Sequence, residues 1–170
     1  AILACFAAVY IKTVIMPQTD LDMDDLILNE NSVLYYKDQS TGEYKELVTV
    51  ANTTSSIPVT YDELPKNLVN ATIAIEDKRF LEHHGVDWIR TARAVLNMFT
   101  GQDIQGGSTL TQQLIKNWTQ YDDVTVKRKV IEIFKALEFD KKYSKEDTIT
   151  AYLNIIYLGS GCEGVGAASY

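Results

Sequence analysis

Metal- and sulfur-bearing side chains are scarce in this chain of 170 residues: two cysteines, Cys5 and Cys162, and two histidines, His83 and His84. The cysteines lie far apart, Cys5 within an apolar run, which argues against a disulfide framework. Two adjacent histidines do not supply a structural zinc site either. Positive charge is short as well. Sixteen Lys and Arg against 23 Asp and Glu leave a net charge of −7. A general nucleic-acid binder carries the opposite balance, so nucleic acid is not an expected partner, and any anionic ligand must be held by a local cationic cluster. Long hydrophobic runs are also missing. AILACFAAVYI, followed after Lys12 and Thr13 by VIM, is shorter than the roughly 20 residues that span a bilayer. No A-x-A-like cleavage site follows it. We read residues 1–16 as the outer part of a truncated N-terminal transmembrane helix, with a buried core helix as the alternative. Internal repeats and low-complexity segments are absent.

What is present is an ordinary globular balance, 46% hydrophobic and 23% charged, enough for one domain with its own core. Residues 17–30 are acidic and read as a connector. Residues 32–36 and 44–50 are β-branched and aromatic, and the turn-forming Asp38, Ser40 and Gly42 lie between them, which predicts a β-hairpin. Beyond residue 61 the pattern is helical. Pro65 suits a helix start and Gly85 a stop, predicting a helix over about 65–82. On it Thr72, Glu76 and Phe80 would share a face. A second helix is expected over 87–99, with Asp87 as N-cap and Trp88, Ala92, Val95, Leu96 and Phe99 as its core face. Thr109 with Gln112, and Ser144 with Asp147, fit capping boxes. They open a third helix and a last one ending near Leu158, with a fourth over 124–142 between them. The expected layout is a partial transmembrane helix (1–16), a connector with hairpin (17–60) and a mainly α core (61–170) that stops short of a complete domain.

Three stretches could carry chemistry. In ATIAIEDKRFLEHHG (71–85), Glu76 follows an apolar run, where partial burial would suit a general acid or base. An exposed glutamate paired with Arg79 is the plainer alternative. The Gly106–Gly107–Ser108–Thr109 loop opens into a helix whose free N–H groups favour an anion. It is not a P-loop, because Lys116 comes too late. Lys127, Arg128 and Lys129 form a compact basic run in an acidic chain. Arg128 and Glu132 at i, i+4 are either an exposed ion pair or a phosphate-gripping cation beside a second carboxylate. Together, two helix-borne glutamates, a helix N-terminus and a basic cluster suggest acid/base work at a glycosidic centre with a phosphate leaving group.

The order of these motifs resembles the peptidoglycan glycosyltransferase domain of penicillin-binding proteins, glycosyltransferase family 51. E-D-x-x-F-x-x-H-x-G is matched by Glu76, Asp77, Phe80, His83 and Gly85. G-G-S-T-[IL]-T-Q-Q with K-N is matched by residues 106–113, Lys116 and Asn117. R-K-x-x-E is matched by Arg128, Lys129 and Glu132. The fourth motif is matched by Lys145, Ile149, Tyr152, Leu153 and Asn154, with Thr150 where the family usually has Glu. Residues 161–168 look like the Gly-rich fifth motif. The resemblance implies a lysozyme-like, two-lobed, mainly helical fold beside a membrane. It implies polymerisation of lipid II, with the lipid-linked glycan strand as donor, the GlcNAc 4-hydroxyl as acceptor, inversion at the anomeric centre and release of undecaprenyl diphosphate. Glu76 would be the base and Glu132 would assist departure on the donor side. Ser108, Thr109, Gln112, Gln113, Lys116, Asn117, Arg128 and Lys129 would bind substrate, and Asp77, Phe80, His83 and Gly85 would shape the site. No cofactor is required by the sequence, although a divalent cation (Mg²⁺ or Mn²⁺) would suit the diphosphate. The expected setting is the bacterial cytoplasmic membrane, with a single-pass anchor, an extracytoplasmic catalytic domain, and cell-wall synthesis or division proteins as partners. Two alternatives stand beside this reading: a lysozyme-like glycan hydrolase, and an inactive lipid II-binding module.

Overall fold

The computed structural model describes residues 5–6, 9–26, 32–50, 55–100, 106–119 and 125–169. Five helices of ten residues or more dominate it: α1 (Lys66–Glu76), α2 (Trp88–Thr100), α3 (Leu110–Thr119), α4 (Val126–Lys142) and α5 (Lys145–Ile155), followed by a short α6 (Gly164–Ala168). Strands are few. β1 (Ser32–Lys37) and β2 (Tyr44–Val50) pair antiparallel with an irregularity between Leu34 and Tyr35, and β3 (Ser55–Ser56) runs parallel to β4 (Cys162–Glu163).

Local chemistry starts the helices. The Asp87 carboxylate accepts from the Arg90 N–H at 2.9 Å. Thr125 Oγ1 accepts from Arg128 N–H, and Ser144 and Asp147 complete a reciprocal box at α5. Each cap satisfies an N–H group that the helix itself cannot. α3 is the centre of the core. Leu110, Leu114 and Ile115 are buried on it, and it packs against both α4 and α5. Ala136 and Phe139 of α4 and Ile149, Tyr152 and Leu153 of α5 complete the cluster with Phe80 and Val86. Fully burying one such aliphatic side chain stabilises the fold by roughly 1.5–3 kcal/mol.

Three expectations are corrected. The first helix ends at Glu76, not near residue 82, because Asp77 turns inward (φ −155°, ψ 77°) to become its C-cap. Phe80 is therefore beyond the helix and wholly buried, and no Thr72–Glu76–Phe80 face exists. The predicted core face of α2 is largely outside: Trp88 is 57% and Leu96 64% exposed, and Ala92 is exposed too. The Val95 and Phe99 side chains lie outside the described residues. α5 stops at Ile155, where Ile156 leaves helical geometry.

Among the described residues no helix is long and apolar enough to cross a membrane. Residues Ile11–Ile15 form a π-helical turn with Ile15 buried, and Phe6, Val9 and Tyr10 before it are exposed. The acidic connector docks on the end of α4. The Met23 N–H donates to Tyr143 Oη at 2.9 Å, that hydroxyl donates to Asp22, and Lys142 pairs with Asp22 at 3.0 Å.

Candidate active site

The N-terminus of α3 is where the sequence motifs meet. Asp77, fully buried, accepts from the Leu110 N–H at 3.0 Å and sits 2.9 Å from His83 Nε2. It thus supplies a negative charge to the positive end of α3 from a different part of the chain. Thr109 Oγ1 donates to the Gly85 carbonyl at 2.6 Å. Gly85 adopts φ +75°, and a Cβ there would lie 2.2 Å from the Ala136 carbonyl oxygen, so the loop passes against α4 at a distance only glycine allows. Lys145 pins the same loop: its Nζ donates to the His83 carbonyl at 2.8 Å, pairs with Asp140, and lies 4.8 Å from the Phe80 ring centre.

Glu76 is half-buried at the end of α1 and accepts from Gln113 Nε2 at 2.9 Å. Gln113 Oε1 in turn accepts from the Tyr152 hydroxyl at 3.2 Å. Burial, with the Glu76 charge adding to it, pushes the Tyr152 phenol up to about 12. The Glu76 backbone is clamped separately. Arg90 donates one guanidinium nitrogen to the Glu76 carbonyl at 2.7 Å and another to the Gly106 carbonyl. Arg79 does not pair with Glu76; it forms a fork with Asp87, at 2.6 and 2.9 Å. Burial opposes ionisation of Asp87, but the Arg90 N–H and the Arg79 guanidinium outweigh it and hold that carboxyl below its ordinary value.

Glu132 lies on the other flank of α3. It is 5% exposed, and both of its oxygens are engaged, one by Arg128 at 3.0 Å and one by Lys129. Lys129 also donates to Ser108 Oγ at 2.8 Å, which ties the basic run to the glycine loop. Beside this cluster opens a cavity of about 190 Å³. Its walls include Lys116, Lys127, Arg128, Glu132 and Lys135, with Gln18 from the N-terminal segment. Glu76 is not in that lining; it reaches the same helix end through Gln113.

The structure therefore brings Glu76, Gln113, Ser108, Lys116, Arg128, Lys129 and Glu132 around the first two turns of α3. It turns two expected substrate contacts inward. Thr109 and Gln112 are 0% and 1% exposed, and they brace the helix start by exchanging hydrogen bonds at 3.0 and 3.2 Å. Asn117 is exposed and outside the cavity lining. Among the described residues no three His, Cys, Asp or Glu side chains converge to hold a metal ion. Both Glu132 oxygens are already held by cations. Sequence reasoning missed Arg90 and Lys135. Lys135 follows Glu132 by three positions, on the same helix face, and burial lowers its pKa from the ordinary lysine value. Helical periodicity could have found Lys135; nothing local marks Arg90.

The family model described as Transglycosylase matches residues 42–170. Penicillin-binding protein 1F of Bacillus subtilis (strain 168) is 38% identical over 99% of this chain. Penicillin-binding proteins 1A of Clostridium botulinum and Escherichia coli (strain K12) are 42% and 43% identical over 85% and 73% of it. The chain spans 23%, 17% and 15% of those proteins' own lengths. With these matches and the motif-bearing site in hand, the chain belongs to the transglycosylase family, as a glycosyltransferase domain of the penicillin-binding-protein kind.

Proposed function

We propose that this domain polymerises lipid II into peptidoglycan glycan strands. The observation that carries the reading is the pair of glutamates held at one helix end in unlike surroundings. Among the described residues Glu76 has a single side-chain donor, Gln113, whereas Glu132 is bracketed by two cations beside a basic cavity. Glu76 takes the proton from the GlcNAc 4-hydroxyl of the acceptor as that oxygen attacks the donor's anomeric carbon from the face opposite the diphosphate. Bond formation to the acceptor and departure of undecaprenyl diphosphate invert the centre. Lys116, Arg128, Lys129 and Lys135 balance the charge that gathers on the leaving group, which is electrostatic stabilisation of the transition state. Glu132 works through Arg128 and Lys129, holding Arg128 at the cavity wall and Lys129 beside Ser108. The setting is the outer face of the bacterial cytoplasmic membrane, where lipid II and the lipid-linked strand are anchored. A hydrolase of glycan strands would have no diphosphate to hold, so the basic cavity favours transfer.

The test is Glu76→Gln in the full-length protein with labelled lipid II. Removing a general base lowers turnover by roughly 100- to 10,000-fold, and thermal melting should stay unchanged. Normal polymer formation by that variant would sink the assignment. Soluble fragments released from purified cell wall by the unmodified protein, with no polymer made from lipid II, would favour hydrolysis instead.

A further inference from the structure

A glutamine amide has a donor end and an acceptor end, and held at one end only it can turn over. Gln113 is held at both, its NH₂ end on Glu76 and its carbonyl end on the Tyr152 hydroxyl. A carboxylate only accepts, so Glu76 needs the NH₂ end. The partner at the other end must therefore be a donor. A neutral phenol can be that donor. A phenolate would instead attract the NH₂ end and turn the carbonyl towards Glu76. Tyr152 is 2% exposed within α5, and with its phenol pushed up to about 12 it stays protonated through the neutral range.

We propose that Tyr152 is a positioning residue, fixing which way the Gln113 amide faces and through it the carboxylate of Glu76. This rests on Glu76 acting as the base. The relay links α5, α3 and α1 through side chains 39 and 37 positions apart in sequence, so a shift in α5 packing is transmitted to the base.

A double-mutant cycle in the full-length protein tests it, with kcat and KM for lipid II measured for Tyr152→Phe, Gln113→Ala and the pair. Phe keeps the ring and removes only the hydroxyl. Losing that donor is expected to lower kcat roughly tenfold, with KM within about twofold. In the Gln113→Ala background the same change should do nothing more, because a residue acting through another shows full coupling. Unchanged kcat in Tyr152→Phe, or losses that multiply in the double variant, would overturn the proposal. Should Tyr152→Phe fail to fold, the unmodified protein supplies the test. The Gln113 side-chain amide protons should exchange slowly by NMR, and exchange as fast as in free glutamine would overturn it. Glu76→Gln, run alongside, separates the two readings. If that variant still polymerises, the base assignment fails; if it is inactive while Tyr152→Phe is normal, only the relay fails.

Discussion

Glu76 and Glu132 carry the same functional group and meet opposite partners. One faces an amide, the other two cations. In the proposed mechanism that contrast is the reason for placing proton abstraction at the first and charge organisation at the second. Lys135 belongs to the second setting. It lines the cavity with Lys116 and Arg128, and among the described residues no ion pair claims it. A partly desolvated ammonium of this kind binds an anion more strongly than an exposed one. Lys135→Met should therefore raise KM for the lipid diphosphate donor roughly tenfold, with a smaller effect on the fold; steady-state kinetics with lipid II would show it. Tyr152 gives a pH prediction. Its folded pKa of about 12 lies above the ordinary 10.0, so the folded state holds this proton more tightly than the unfolded state. The associated stability is complete below pH 10 and is lost as pH rises through about 12. Denaturant melts across that window should show falling stability, and Tyr152→Phe should remove that part of the fall. Glu76→Gln should move the phenol titration downward, since the negative charge beside it is gone.

At the scale of elements, the N-terminal end of α3 is held from three directions: Asp77 bonds its first amide, Gly85 receives Thr109, and Lys129 of α4 reaches Ser108. The Gly85 loop itself passes close against α4. Gly85→Ala combines a positive φ with a Cβ placed 2.2 Å from a backbone oxygen. It should cost roughly 2–5 kcal/mol, read as a lower denaturation midpoint with activity lost in proportion. The cap of α4 is a milder lever. Thr125→Ala removes the side-chain acceptor for the Arg128 N–H and should cost about 1 kcal/mol. Because Arg128 and Lys129 lie in that first turn, KM should rise more than stability falls. Thr150, where the resembling motif has Glu, donates to the Glu146 carbonyl of its own helix in an exposed hydrogen bond.

At the scale of the whole molecule, large apolar side chains stand exposed on several elements. Trp88, Ile89 and Leu96 of α2 are each more than half exposed, as are Phe6 and Val9 near the N-terminus. The N-terminal segment also reaches the cavity through Gln18 and docks on α4 through Asp22 and Met23. Under the proposed function, with lipid-anchored substrates, the exposed apolar side chains of α2 would lie towards the membrane. Addition of lipid vesicles should therefore shift Trp88 emission to shorter wavelength, and Ile89→Asp with Leu96→Asp should abolish the shift. An unchanged spectrum would place this face away from the bilayer.

The sequence by itself determined what is local or ordered along the chain. Asp87, Thr109 with Gln112, and Ser144 with Asp147 announced helix starts because a cap is an interaction within four residues. The run of motifs from Glu76 to Ala168 announced the family, because their order and spacing are written in one dimension. Only the tertiary structure decided which of those residues face the cavity. Asp77 ends α1 at Glu76 because its partner, Leu110, is 33 positions away. Thr109 and Gln112 turn inward while Gln113 turns to Glu76, since α3 sits in the core between α4 and α5. Arg90, Lys135 and Tyr152 join the site through packing between helices. Periodicity within one helix can place a side chain on a face, but it cannot say what that face will meet.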